Sequence, residues 1–358
     1  MVYKIVVIEI RRKLQSANVF VTLLDSSLKD LNVILCEDHF QIVIGKQTVS
    51  IPLNAFKATP STLASVKVVN GIVSFRFFLR NVDDNYFGSF SVELIKNKVD
   101  SFQLETEKYL SSGIDYNIKC NNCKKLLSNG GLCFKRVLPL PSDSLDYGDW
   151  FCHNHLSSSV DLSPGKFDVF FSDCYVHLNK VNLTQFTQEK NILLCRFCLY
   201  WIGCVHNFET VKLWFNTVQF SDRNSIRVTD PMSDVLKTIR NCFSRCILNT
   251  VKVILCYQRP RQNHYLLIWI LEKNLDVIFN RVGQVEPKSV AKTLFKFIDR
   301  EDDQQLRSWR LDNNVEMINV SKPMMVEILK HLHYYNRFFP LDFAQSSEFF
   351  VSYLLLYG

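Results

Sequence analysis

The chain has 358 residues, 47% of them apolar and 13% aromatic, with 42 Lys and Arg against 35 Asp and Glu. So much apolar material excludes a disordered chain, and the length suits two domains better than one. The net charge of +7 is scattered without a run of five or six like charges, which argues for a solvated surface and against direct nucleic-acid binding.

The first elements are strands. MVYKIVVIEIRRK opens on an apolar stretch far shorter than the roughly twenty residues of a membrane span, and its basic residues follow that stretch instead of preceding it. It reads as a strand, with no membrane or secretory role. VFVTLLD, NVILCEDHFQIVIG, QTVSIPL and GIVSFRFFLRN continue the β-rich pattern, punctuated by Gly45, Pro52, Pro60 and Gly71. Their spacing predicts an antiparallel β-sandwich-like domain over residues 1–110. Arg11, Arg12, Lys13 and His39 read as solvated groups on its strand faces and turns. No internal repeat is present.

From about Ser111 the texture changes to polar residues, glycines and cysteines, giving a second region over 111–205. IKCNNCKK places Cys120 and Cys123 in a Cys-x-x-Cys, and LLCRFCLYW places Cys195 and Cys198 in another. Four thiolates arriving as two such pairs are what a tetrahedral zinc ion requires, because each turn presents two sulfurs about 2.3 Å from a common point. Without a secretory signal the twelve cysteines are expected reduced, so the pairs read as metal ligands and not as disulfides. About seventy residues separate the pairs. One structural zinc would therefore close a long loop and staple two strand-turn units around an insert.

That insert contains RVLPLPSDSLDYGDWFCHNH, residues 136–155. Prolines at alternate positions block ladder hydrogen bonds and restrict the preceding residues, so Val137 to Ser142 is expected extended and irregular. Trp150, Cys152, His153 and His155 follow, and Cys133, Cys174 and His177 add further side chains of metal-ligand type. The spacing Cys-His-x-His does not by itself wrap one metal.

The order Cys-x-x-Cys, RVLPLPS, an acidic residue with Trp, Cys and His, then a second Cys-x-x-Cys resembles the HECT-like ubiquitin-conjugating-enzyme-binding family. The residues are Cys120 and Cys123, Arg136 to Ser142 with Pro139 and Pro141, Asp149 to His153, and Cys195 and Cys198. RVLPLPS is the most diagnostic piece. The resemblance implies a cytoplasmic and nuclear protein, described as a ubiquitin-protein ligase, that accepts ubiquitin from a cyclin-selective conjugating enzyme and acts on cyclin-type substrates. It also implies a link to the endonuclease subunit of the cleavage and polyadenylation specificity factor in mRNA 3′-end processing.

Residues 206–358 read as an α/β domain. DPMSDVLKTIRNCFSRCILN predicts an amphipathic helix from about Met232 to Leu248, capped near Asp230 or Ser233. VKVILCYQ, HYLLIWILEK, LDVIFNR and NVEMINV predict strands, whereas PKSVAKTLFKFID and SKPMMVEILKHLHYYNRFF have helical apolar spacing. Ser321 with Pro323 suits the start of the second helix. His331 and His333 do not share a helix face and read as exposed. The final EFFVSYLLLYG is too short to span a membrane and reads as a buried strand or helix.

Two kinds of function follow. A thioester-forming ligase needs an accessible, activated Cys. Outside the zinc pairs the candidates are Cys204, with His206 two residues on, and Cys242 and Cys246 on one helix face beside Arg240 and Arg245, whereas Cys256 ends a buried strand. None has a base and an orienting partner in sequence. The alternative is a binding protein that sends its proline-stiffened loop into the metal cleft of the processing endonuclease, with Cys152 as leading ligand, His153 as helper, His155 as a third candidate and Trp150 as anchor. No Gly-rich phosphate loop, G-x-S-x-G elbow or H-E-x-x-H helix is present. The expected architecture is thus α+β: an antiparallel β-sandwich-like amino-terminal domain, a zinc-stapled middle insert and a carboxyl-terminal α/β domain.

Overall fold

The computed structural model describes residues 3–11, 14–25, 31–53, 56–80, 110–140, 163–245, 250–280 and 287–355. Among them the fold is mostly β-sheet with three α-helices, an α+β arrangement. None of these helices is long and apolar enough to cross a membrane.

The amino-terminal third forms β1 (Tyr3–Arg11), β2 (Ser16–Leu23), β3 (Leu31–Leu35), β4 (His39–Ile44), β5 (Gln47–Pro52), β6 (Lys57–Ala58), β7 (Ala64–Val69) and β8 (Ile72–Arg80). Strands β3, β4 and β5 make a small antiparallel sheet. It lies against β1, β2 and β8, so that Phe40 and Ile42 meet Val19, Val21 and Phe75 in one core. Two facing antiparallel layers therefore form, as period-2 alternation requires. The larger layer does not end there.

Strand β1 also pairs with β21 (His264–Asn280), with Val6 opposite Asn280 and Ile10 opposite Asp276. The first and last thirds of the chain thus share one sheet, of eleven strands among the described residues. This corrects the expectation of a self-contained sandwich. The cause lies in β1 itself, which is buried on both faces: Val6 and Ile8 point into the amino-terminal core, Ile5 and Val7 into the carboxyl-terminal one. A strand apolar on both faces belongs inside a sheet with two neighbours.

The middle of the chain builds two further sheets. The first joins β9 (Asp115–Cys120), β10 (Leu132–Cys133), β18 (Val218–Ser221) and β19 (Ile226–Arg227) in the order β10-β9-β18-β19. The second contains β11 (Arg136–Pro139), β12 (Asp168–Phe171), β13 (Tyr175–Asn179), β14 (Phe186–Glu189), β15 (Ile192–Cys195), β16 (Trp201–Val205) and β17 (Thr210–Trp214). Its order is β11-β12-β13-β17-β16-β15-β14. Tyr116, Ile118 and Phe220 of the first sheet pack on Val176, Leu193 and Leu213 of the second. A Cβ at Gly203 would run into the Lys212 carbonyl, so only glycine permits the close approach of β16 and β17.

The last third comprises α1 (Pro231–Arg245), β20 (Val251–Tyr257), β21, β22 (Lys288–Ile298), α2 (Gln304–Arg310), β23 (Val315–Asn319), α3 (Lys322–Asn336), β24 (Gln345–Ser346) and β25 (Phe349–Leu354). Its strands are antiparallel except for the parallel pair β20 and β23. The stretches HYLLIWILEK and LDVIFNR form one continuous strand, β21. PKSVAKTLFKFID is not a helix: Lys288–Ile298 is a strand between β21 and β25. Val290 and Leu294 bury on one face and Ala291 and Phe295 on the other, and burial on both faces mimics helical spacing. Helices α1 and α3 cover one side of β20 and β21 through Val235, Ile239, Met324 and Ile328. Trp201 and Trp214 of the middle sheet enter the same core.

Candidate metal centre

Cys120 is the last residue of β9 and Cys195 the last of β15, so the two Cys-x-x-Cys turns leave strands of different sheets. Both turns have the same hydrogen-bond pattern. Lys124 N donates to the Cys120 carbonyl (2.9 Å) and Leu199 N to that of Cys195 (2.8 Å), while Cys120 N donates to Lys125 O (2.9 Å) and Cys195 N to Tyr200 O (2.8 Å). The fifth residue of each turn takes a left-handed conformation, Lys124 at φ 61 and Leu199 at φ 56. Within each turn, backbone amides at Asn122 and Cys123 point to the Cys120 sulfur and those at Phe197 and Cys198 to the Cys195 sulfur.

The turns bring the sulfurs together. Cys120 Sγ lies 3.8 Å from Cys198 Sγ and Cys123 Sγ lies 3.6 Å from Cys195 Sγ. All four fall within 4.8 Å of one another. Sulfurs about 2.3 Å from a central zinc stand about 3.8 Å apart along the edge of a tetrahedron, so the spacing fits the ion. Electrostatics agree with the geometry. Burial pushes the Cys120 and Cys195 thiols well up, and neighbouring sulfurs add to it. Burial also acts on Cys198, but hydrogen bonds from the Asn122 side chain and the Tyr200 amide bring it down to about 7. The Cys198 thiol ionises readily, whereas the buried Cys120 and Cys195 thiols become thiolates only around a cation, which inverts the local charge balance. The four cysteines could hold one metal ion, and soft, tetrahedral sulfur donors are a zinc set.

The remaining cysteines stand elsewhere. Cys133 is exposed on β10. Cys174 is buried, its thiol directed at the Asp234 carbonyl (3.6 Å), and burial beside Asp234 pushes it up to about 12. Burial pushes Cys204 up to about 11 and Cys256 up to about 12. Cys242 is buried on α1, its Sγ 3.3 Å from the Thr238 carbonyl. A nucleophilic Cys needs exposure and a lowered pKa; Cys174, Cys204, Cys242 and Cys256 are all buried, and burial pushes the thiols of Cys174, Cys204 and Cys256 up. Cys246 and the Arg245 side chain lie outside the described residues, as do Arg12, Lys13, Pro141, Trp150, Cys152, His153 and His155.

His177 sits buried on β13 with its ring 4.3 Å from that of exposed His206 and its Nε2 without a partner. Burial, with His206 and Lys212 nearby, lowers it to about 3. His331 is half-buried, not exposed as expected, whereas His333 is exposed. Arg11 bonds Glu272 (3.2 Å) and His39 bonds Asp38 (2.6 Å).

The diagnostic RVLP piece has a defined job. Arg136 grips Asp168 with two donors, Nε at 2.7 Å and Nη2 at 2.5 Å, and thereby docks β11 in parallel along β12. Pro139 ends that edge strand, where a missing amide is tolerated. Asp168 has no signal of its own in the sequence. The same holds for Asn121, which ties the first Cys turn to the Asn216 carbonyl (2.9 Å).

No curated protein and no solved structure matches the chain. A family model described as HECT-like ubiquitin-conjugating enzyme (E2)-binding matches residues 9–351, from the end of β1 to within β25, with both Cys turns and Arg136 inside the match. On that near-complete match, the chain belongs to the HECT-like ubiquitin-conjugating enzyme (E2)-binding family.

Proposed function

We propose that this protein serves the ubiquitin pathway as a ligase of the adaptor kind: it holds a charged conjugating enzyme beside its substrate and carries no ubiquitin on a thiol of its folded core. The family's E2-binding description supports the first half. The observation that carries the second is the burial of Cys174, Cys204, Cys242 and Cys256, none of which has more than 5% of its surface exposed; among the described residues, exposed Cys133 and half-buried Cys36 are the free thiols outside the cluster that it leaves to the test. In this reading the four clustered cysteines bind one structural zinc, which supplies no reaction chemistry and pins two sheets together. Incubation with charged conjugating enzymes, followed by non-reducing gels, tests it. No reducible ubiquitin adduct is expected; an adduct abolished by replacing one cysteine with serine, at Cys204, Cys242, Cys246 or the less buried Cys36 and Cys133, would make the protein a covalent ligase.

A second reading has one observation in its favour. Among the described residues four thiols already make up a tetrahedral set, so the ion needs no ligand from Cys152, His153 or His155. Their segment begins where Leu140 N bonds Phe171 O (2.7 Å) and returns where Asn207 bonds Ser163 (2.7 Å), so both flanks are fastened to one sheet. In this second reading the segment between those flanks completes the metal coordination of the mRNA 3′-end-processing endonuclease, with Trp150 as anchor, in cytoplasm and nucleus. Cys152→Ser is then expected to lose co-purification of that endonuclease at unchanged melting temperature and zinc content. Undiminished co-purification would discard the idea.

A further inference from the structure

The second Cys turn spends conformational energy to show grease to water. Phe197 and Leu199 flank Cys198 and are 53% and 66% exposed. Leu199 also holds a left-handed φ of 56, a conformation that glycine adopts freely and that a branched apolar side chain resists. A glycine there would satisfy the turn and remove the exposed leucine together. Strained residues of this type concentrate at functional surfaces, where the surrounding structure over-determines them.

The surrounding structure does so here. The four sulfurs, the Leu199 amide on the Cys195 carbonyl (2.8 Å) and the Arg196 amide on Gln185 O (3.2 Å) fix the turn from three sides. Two large apolar side chains on a rigid turn are what a binding hot spot needs, since little entropy remains to be lost when a partner covers them. Exposed Arg196, next to Phe197 on the same turn, puts a cation at the rim of the apolar tip. The family's partner class is on record as a ubiquitin-conjugating enzyme.

We propose that Phe197 and Leu199, at the tip of the second Cys turn, are the apolar anchors that dock the ubiquitin-conjugating enzyme. The site rests on the E2-binding reading above and gives it a location. The face of the enzyme that fits is an apolar socket bordered by carboxylates, and its capture weakens as salt screens the rim.

The test uses the full-length, zinc-loaded chain and a panel of purified ubiquitin-conjugating enzymes in biolayer interferometry. For an enzyme that the wild type captures, Leu199→Gly and Phe197→Ser each weaken binding about tenfold or more, the range of a lost hot spot. Phe208→Ser, at a 93% exposed position beyond the opposite end of β16, leaves it within about twofold. Leu199→Gly keeps its zinc and melts at the same temperature or higher, because it relieves the turn while removing the anchor. A merely structural leucine would not uncouple the two readouts in this way. Should Phe197→Ser lose zinc, Leu199→Gly decides alone. Binding within twofold of wild type for the decisive variant overturns the location and leaves the E2-binding reading standing. A wild type that captures no enzyme of the panel overturns both.

Discussion

Cys120 is fully buried and its thiol would stay protonated without a nearby cation, so its presence beside three other sulfurs makes sense as a metal ligand. Cys120→Ser should lose the ion and, because metal affinity is folding free energy in such sites, on the order of 5 kcal/mol of stability. Cys133→Ser, at an exposed position outside the cluster, should change stability by less than about 0.5 kcal/mol. Zinc content and urea midpoints of the two variants check this. His177 offers a second residue-scale test. Its value in the fold is lowered to about 3, so the unfolded chain takes up its proton first as pH falls. Stability is fully present above about pH 6.5 and drains away below it, by at most about 1.4 kcal/mol per pH unit for one proton. His177→Gln should flatten that slope between pH 6.5 and 4 in denaturant titrations.

At the scale of elements, the metal turn and the helices are joined through one residue. Asn216, almost fully buried, receives the Asn121 side chain on its carbonyl (2.9 Å), donates to Asp234 in the first turn of α1 (2.7 Å) and accepts from Ser321 (2.7 Å). Ser321 caps α3 by accepting from Met324 N (3.2 Å), and Thr229 adds a 2.5 Å bond to Asp234. Replacing Asn216 by Ala strands buried partners on both helices and should cost about 2–4 kcal/mol. Chelation should reach the same joint: amide exchange is expected to rise at Asn216, Thr217 and the first turns of α1 and α3 before it rises in β21. Uniform exchange after chelation would contradict the linkage. Local chemistry made part of this visible in the sequence. The Cys-x-x-Cys pairs, the α1 periodicity and the Ser321 cap with Pro323 are all written within a few residues, and the structure has each of them. Asn216 lies in FNTVQF, which carries no pattern, and its three partners are up to 105 residues away. Strand β22 escaped for the opposite reason, since double-faced burial erased the alternation that marks a strand.

At the scale of the whole molecule, a buried carboxylate joins the first strand to the last. Glu9 of β1 has no exposed surface; it accepts from Lys292 of β22 at 2.6 Å and from the Tyr353 hydroxyl of β25 at 2.7 Å, with Arg11 at 3.7 Å. One side chain thus fastens the first long strand to the last. Sequence alternation cannot reveal such a contact, because the partners of Glu9 on β22 and β25 lie 283 and 344 residues on and every buried strand offers a similar pattern. Burial alone would raise the Glu9 carboxyl above its ordinary 4.5, but the Lys292 charge and the hydrogen bonds from Lys292 and Tyr353 outweigh it and hold the group below that value. The sign follows: its stabilisation is present above about pH 4.5 and is lost as pH falls through the lower, folded value. Lys292→Met removes the principal cation and leaves a buried charge short of its partner, at a cost of about 3–5 kcal/mol near neutral pH. In that variant burial dominates and Glu9 binds its proton more readily in the fold than in the open chain. Its deficit against wild type should therefore be largest at pH 7, begin to shrink as pH falls through the variant's raised Glu9 value above 4.5, and shrink further below pH 4.5 as the wild type loses its own stabilisation; Glu9→Gln in the Lys292→Met background should recover part of the loss at pH 7. Urea unfolding of the three proteins at pH 7 and pH 4 decides the matter: a deficit independent of pH would mean that Lys292 contributes through contacts other than Glu9, such as its ammonium over the Phe339 ring, 5.4 Å from the ring centre, and not through its charge on Glu9.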